Sequence, residues 1–411
     1  MGPYRGLFLL LCLATFFEGF DTKLVSFVQP VIGRDFGASP EAVGAAVGIS
    51  SIGMVLAFFV ILLADAIGRR PVFLGALFCY AALTLATAFA PSLTIFTGLQ
   101  LFARMAMVVE LFVAYVILSE EMPPEIRGRV NGLFASTAAL GAAFPAAFLA
   151  PLEAIGLGWR GLFLVGSLPL LLFPVYWRTI PETRAFATRD RRERRYAVEF
   201  VSGVQSLWRS SERGRLLRVA GIWLAINLWS GTALYFLTTY AYLERGWDAK
   251  DLQLLPWGTI PVGMAGYALS GFVMDRFGRR PALTGYLISA FAATLLCYRS
   301  TADPAIYLGW ILLIGLGGVW TVVTTWTTEL FTTSHRATAL GLANFLIGRL
   351  GLVIGPIVAP QLASAWGATA IAVPVLASVT LLCVPLVWTL PETNGVMLAG
   401  TADAEAALDT D

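Results

Sequence analysis

Apolar stretches of about 20 residues recur along this chain, at about 7–32, 41–64, 71–90, 92–118, 130–152 and 160–178. They recur again at about 216–243, 252–274, 281–298, 304–328, 338–364 and 369–389. As a helix, each is long enough to cross roughly 30 Å of hydrocarbon. The one long polar segment, about 179–215, separates six stretches from six. This pattern predicts an all-α membrane protein whose twelve transmembrane helices form two pseudo-symmetric six-helix bundles. The bundles would be 1–178 and 216–394, joined by a linker over 179–215, and residues 395–411 read as an acidic, disordered tail.

The polar positions at the ends of these stretches repeat. Asp65-Ala66-Ile67-Gly68-Arg69-Arg70-Pro71 returns 210 residues later as Asp275-Arg276-Phe277-Gly278-Arg279-Arg280-Pro281. Pro181-Glu182-Thr183 returns at the same interval as Pro391-Glu392-Thr393. Glu120 and Arg127-Gly128 are echoed by Glu329 and Arg336-Ala337, 209 residues on. One period held through three motifs means a duplicated chain, an arrangement found in secondary transporters.

Composition sharpens the assignment. At 57% hydrophobic and 13% charged residues, the chain falls far from a soluble domain, where about 25% is charged. Net charge, +2, is uninformative, but most of the 28 Lys and Arg residues follow spans 2, 4, 6, 8 and 10. The positive-inside rule then puts both termini and the linker in the cytoplasm. The run Arg189 to Arg195 is expected to hold that orientation and to touch anionic lipid rather than nucleic acid. Only Met1 to Gly6 precede the first span, so no cleaved secretory signal is expected.

Several chemistries lack their residues. A phosphate-cradling loop needs Gly-Lys-Ser/Thr, and neither lysine, Lys23 or Lys250, follows a glycine. Cys12, Cys79, Cys297 and Cys383 lie within spans without metal-ligand spacing, so no metal or cofactor is expected. Neither His-Glu-x-x-His nor Gly-x-Ser-x-Gly occurs, which argues against an enzyme. The single histidine, His335, falls in a connection, so a proton crossing the membrane needs carboxylates.

Ionisable residues within spans are costly and therefore mark function. In span 1, Glu18 and Asp21 lie about 60° apart around the helix; two carboxylates that close suit a proton-coupling site. Glu110, in span 4, is the third candidate. Arg104 in span 4 and Arg349 in span 11 would each present a planar fork to a carboxylate. Asn227 and Tyr235 in span 7, Trp320 in span 10 and Asn344 in span 11 are the remaining candidates for contact with the solute. Aromatic rings beside polar groups suit a ring-bearing solute, and suit an interfacial belt equally.

These motifs resemble the major facilitator superfamily across essentially the whole chain. Its marker, G-x-x-x-D-R-x-G-R-R-P between spans 2 and 3, is matched in full by Gly271 to Pro281. The first copy departs at Ile61 and Ala66. The resemblance implies a cytoplasmic gate network, carried here by Asp65, Gly68, Arg69, Arg70, Glu120 and Arg127, and by Asp275, Arg276, Gly278, Arg279, Glu329 and Arg336. Glu18-Gly19-Phe20-Asp21 resembles the span 1 motif of aromatic acid/proton symporters, which implies proton-coupled import of an organic carboxylate by alternating access. The solute is then expected to bind between the two bundles, in a monomer of a bacterial inner membrane. The alternatives are proton-antiport efflux of lipophilic compounds, and a sugar porter, although span 7 offers Ile226-Asn227-Leu228-Trp229 in place of the sugar branch's paired glutamines.

Overall fold

The computed structural model describes residues 5–122, 124–187, 196–332 and 335–394. The run Arg189 to Arg195 and the tail 395–411 lie outside these residues, as do the side chains of Asp65 and Arg127. The first half begins with α1 (Arg5–Asp35), α2 (Pro40–Ile67), α3 (Arg69–Ala88), α4 (Leu93–Glu121) and α5 (Pro124–Ala154). Its sixth span is broken into α6 (Gly158–Gly166) and α7 (Pro169–Thr179), because Pro169 has no N–H to continue the ladder. The connection carries α8 (Arg184–Ala187) and α9 (Tyr196–Arg209).

The second half runs α10 (Arg213–Trp229), α11 (Leu237–Glu244), α12 (Ala249–Leu252), α13 (Leu255–Phe277), α14 (Arg279–Arg299), α15 (Asp303–Gly315) and α16 (Gly318–Glu329). It closes with α17 (Arg336–Leu340), α18 (Leu350–Trp366), α19 (Thr369–Ala377) and α20 (Val379–Trp388). Among the described residues all regular structure is helical. Ten helical segments among these residues are long and apolar enough to span a membrane. The other two fall short for visible reasons. α1 carries Glu18, Asp21 and Lys23 at its middle, and α13 is diluted by four glycines and two prolines.

Two spans contain π-helical turns, Ser230–Leu234 after α10 and Gly341–Gly348 before α18. A π turn shifts the backbone register, and hydroxyls take up the carbonyls of the first one. Thr232 Oγ1 donates to the Leu228 and Trp229 carbonyls, and Tyr298 Oη donates to Ala233 O at 2.7 Å. Such turns are rare and recur at functional sites.

The chain divides into two compact units, Met1–Tyr196 with Ala241–Ile260, and Ala197–Tyr240 with Pro261–Asp411. In the first unit α1 packs along α5, and α4 packs against both α2 and α3. A Cβ on Gly141 would collide with the Phe16 carbonyl, so α5 approaches α1 backbone to backbone. In the second unit Gly351 of α18 meets the Leu224 carbonyl and Leu228 N–H of α10 in the same way, 210 residues later. The duplication read from charged motifs therefore extends into the apolar packing.

Candidate solute and proton site

In the first unit the ionisable groups of α1 and α4 converge with α3. Glu18 is buried and accepts from Thr22 Oγ1 at 2.9 Å, one turn along its own helix. Asp21 turns to α3, where Thr84 Oγ1 donates to its Oδ2 at 3.0 Å. Its other oxygen, Oδ1, is buried and has no hydrogen-bond partner among the described residues. Gly166, the last residue of α6, makes room for it; a Cβ there would collide with Oδ1.

Arg104 is 3% exposed, and its Nη1 donates to Ser51 Oγ of α2 at 2.7 Å. Arg104 and Asp21 line one small cavity with Tyr80, Thr84, Gln100 and Met107. Its volume, about 10 Å3, is close to the least that holds one water molecule. A guanidinium and a carboxylate on the same cavity wall provide the charges for holding an anion beside a proton-exchanging group. Glu110, six residues after Arg104 and so about 120° around α4 from it, is 0% exposed. Both its oxygens are buried without a hydrogen-bond partner among the described residues. An ionised carboxylate so placed is costly.

The second unit holds the other predicted contacts. The Arg349 guanidinium lies 4.5 Å from the Phe345 ring centroid, a cation–π geometry made one turn apart on the same span. Asn344 supports it through the backbone, its carbonyl accepting from Arg349 N at 2.9 Å. Trp320 lies 6.3 Å from Trp229, ring centre to ring centre, and Trp229 Nε1 donates to Thr294 Oγ1. Tyr235 is buried just beyond the π turn. Asn227 spends its amide on its own helix, Nδ2 donating to Trp223 O at 2.9 Å. That bond uses one of the two N–H donors of the amide.

The charged motifs build two matching corners. In the first unit, one Glu182 oxygen accepts from the backbone N–H of both Arg69 and Arg70, at 3.0 and 3.2 Å. It thereby caps the N-terminus of α3, where helical N–H groups have no partner of their own. The Arg69 guanidinium runs on to Glu120, Nη2 to Oε1 at 3.0 Å. Thr183 Oγ1 donates to the same carboxylate, and Arg70 Nε donates to Ile180 O.

The second unit repeats the arrangement, with both oxygens of each glutamate engaged. Arg279 N and Arg280 N donate to Glu392 at 2.8 and 2.9 Å, capping α14. The Arg279 fork grips Glu329 bidentately, at 2.9 and 2.7 Å, and Thr393 completes the corner. Gly68 and Gly278 precede these helices at φ 116° and 92°, in the left-handed half of backbone space that glycine tolerates, and a Cβ on either would crowd the capping glutamate.

The gate residues expected from sequence thus divide. Gly68, Arg69, Arg70 and Glu120 form one corner; Gly278, Arg279 and Glu329 form the other, with Asp275 3.4 Å from Arg279. Arg276 is exposed. Arg336 has its Nε buried without a hydrogen-bond partner among the described residues. Sequence reading put the two Pro-Glu-Thr segments in the gate networks by resemblance, and did not foresee Glu182 and Glu392 as helix caps. It missed Thr84, Ser51, Tyr80 and Gly166, which are ordinary residues within apolar spans.

This is the fold and the motif set of a membrane carrier made of two homologous halves. The chain belongs to the Major Facilitator Superfamily, whose family model matches it over residues 11–295 and again over 259–407. The niacin transporter NiaP of Acinetobacter baylyi is 28% identical, over 84% of this chain and 84% of its own length. The 4-hydroxybenzoate transporter PcaK of the same organism is 27% identical, over 86% and 84%. The solved inward-open structure of the xylose transporter XylE from E. coli superposes with a TM-score of 0.76 at 17% identity, covering 98% of this chain and 99% of that one. At that identity the likeness speaks for the fold alone.

Proposed function

We propose that this transporter imports a small ring-bearing carboxylate together with protons. One observation carries the reading: the buried Arg104 and the half-buried Asp21, whose Oδ1 is buried without a hydrogen-bond partner among the described residues, line the same small cavity in the first unit. Arg104 would hold the solute's carboxylate, and Asp21, with Glu18 and Glu110, would take up and release the proton. In the second unit, Arg349, stacked on Phe345, with Trp320, Tyr235, Asn344 and Asn227, would supply further solute contacts. Two relatives support the solute class, since niacin and 4-hydroxybenzoate both join a ring to one carboxylate. The two corners would gate alternating access, and the arginine-rich side would face the cytoplasm with both termini.

The test is uptake of labelled niacin and 4-hydroxybenzoate into proteoliposomes under an imposed acid-outside gradient, with protein-free liposomes as the control for passive entry of neutral acid. Accumulation above the control, lost in Arg104→Ala, is expected. Protein-dependent flux that ignores the gradient would remove proton coupling, and no flux of either acid would remove the solute class.

A further inference from the structure

His335, the only histidine of the chain, is held on both ring nitrogens. Its Nδ1 lies 2.7 Å from Glu212 Oε2, and its Nε2 lies 3.0 Å from Ser206 Oγ. A carboxylate only accepts, so Nδ1 carries hydrogen and donates to Glu212. In the neutral ring Nε2 is then the acceptor, and the Ser206 hydroxyl donates to it. The ring thus joins α9, the start of α10 and the connection between α16 and α17. Ser–His–Glu is also the order in which hydrolases activate a nucleophile. Here Ser206 lies inside α9, where the neighbouring N–H groups are held in the helix ladder and cannot form an oxyanion hole.

Glu212 stands at the N-terminus of α10, but its side chain does not cap that helix. It turns to the neighbouring connection, where its Oε1 accepts from Thr332 N at 3.2 Å. Arg215, 3.5 Å from the same oxygen, donates to Leu330 O at 2.8 Å. Leu330 follows Glu329, the carboxylate gripped by Arg279, so these contacts hold the backbone next to that corner. A second contact seats α9 on the same place: a Cβ on Gly203, one turn before Ser206, would lie 2.8 Å from Thr338 Oγ1 of α17. The other charged groups beside the ring on these elements are Arg209, Arg213 and Arg336, of which the first two are exposed. The position 209 residues before His335 is Ile126, so the duplicated architecture does not require an imidazole there.

We propose that Glu212, His335 and Ser206 form a pH-responsive latch that fastens α9 beside the Arg279–Glu329 corner of the second unit. One proton from water forms an N–H bond at His335 Nε2. The ring then carries a positive charge against Glu212, Nε2 becomes a donor, and the Ser206 hydroxyl turns to accept. Each contact survives the change and the one to Glu212 becomes an ion pair, so acid fastens the latch and alkali loosens it. The latch is independent of which solute the transporter carries.

The test uses the full chain, purified without a histidine tag so that one imidazole is present. With the four cysteines replaced, Gln205→Cys on the exposed face of α9 carries a nitroxide, and isotope-labelled histidine reports the ring's protonation by NMR. The latch predicts that the mobile part of the nitroxide spectrum grows about twofold or more between about pH 5.5 and about pH 8, in step with loss of the ring proton. His335→Gln keeps a donor and an acceptor without the charge, and its spectrum is expected not to follow pH. Glu212→Gln leaves the charged ring without its counter-ion, and α9 is expected to stay mobile in it even at about pH 5.5. A ring that does not titrate, or one that titrates while α9 keeps the same mobility, would overturn the latch. So would a wild-type pH response of the nitroxide in either variant.

Discussion

Asp21 is held from two sides, by the Thr84 hydroxyl and by the missing side chain of Gly166. Its position is therefore testable without touching its charge. Gly166→Ala is expected to push Oδ1 off its site and cut gradient-driven uptake about tenfold or more, since a misplacement of about 1 Å can cost that much. The protein should remain monodisperse in detergent, because only one methyl group is added. Asp21→Asn, which removes the charge and keeps the shape, is expected to abolish uphill accumulation in the same assay. The ionisable residues themselves were legible in the sequence: Glu18, Asp21, Arg104 and Glu110 interrupt apolar runs, and burying charge is expensive enough to make each conspicuous. Their partners were not. That Ser51 meets Arg104 and Thr84 meets Asp21 depends on the rotation and depth of neighbouring helices, which periodicity within one helix does not encode.

At the scale of elements, the two capping glutamates act across more than 100 residues of chain, each fixing the start of a helix from a distant connection. Glu182→Gln or Glu392→Gln keeps an acceptor but removes the charge that favours a helix N-terminus. Each is expected to cost about 1 kcal/mol, read as a drop of about 1 °C in the thermal unfolding midpoint. Gly351→Leu should be far worse, because its side chain has only the α10 backbone to enter; loss of the monodisperse species on gel filtration is the readout. Span positions were visible from hydropathy because about 20 apolar residues have few other uses. The π turns were not visible. Gly341 to Gly348 reads as an ordinary apolar helix, and only the packed structure shows where its register slips.

The whole molecule is one architecture written twice, and the copies agree in charged corners as well as in glycine-mediated packing. That agreement was foreseeable from the 210-residue period, because matching residues in duplicated halves occupy matching places. The orientation expected from the Lys and Arg distribution has its own test. With Cys12, Cys79, Cys297 and Cys383 replaced, Gln205→Cys on the exposed face of α9 should react with an impermeant maleimide only after the cells are opened.

The exposed Arg276 carries a consequence for how such genes drift. It is the position at which the first copy has Ala66, and the corner around Arg69 and Glu120 is complete in that copy all the same. What the corner cannot lose is the arginine gripping Glu120 or Glu329 and the glutamate seated over the following helix. A lineage can therefore erode its most recognisable signature letter at little cost to the fold. Degenerate members of such a lineage would be found more surely by pairing Gly-Arg-Arg-Pro with a Pro-Glu-Thr about 110 residues downstream than by the full loop signature.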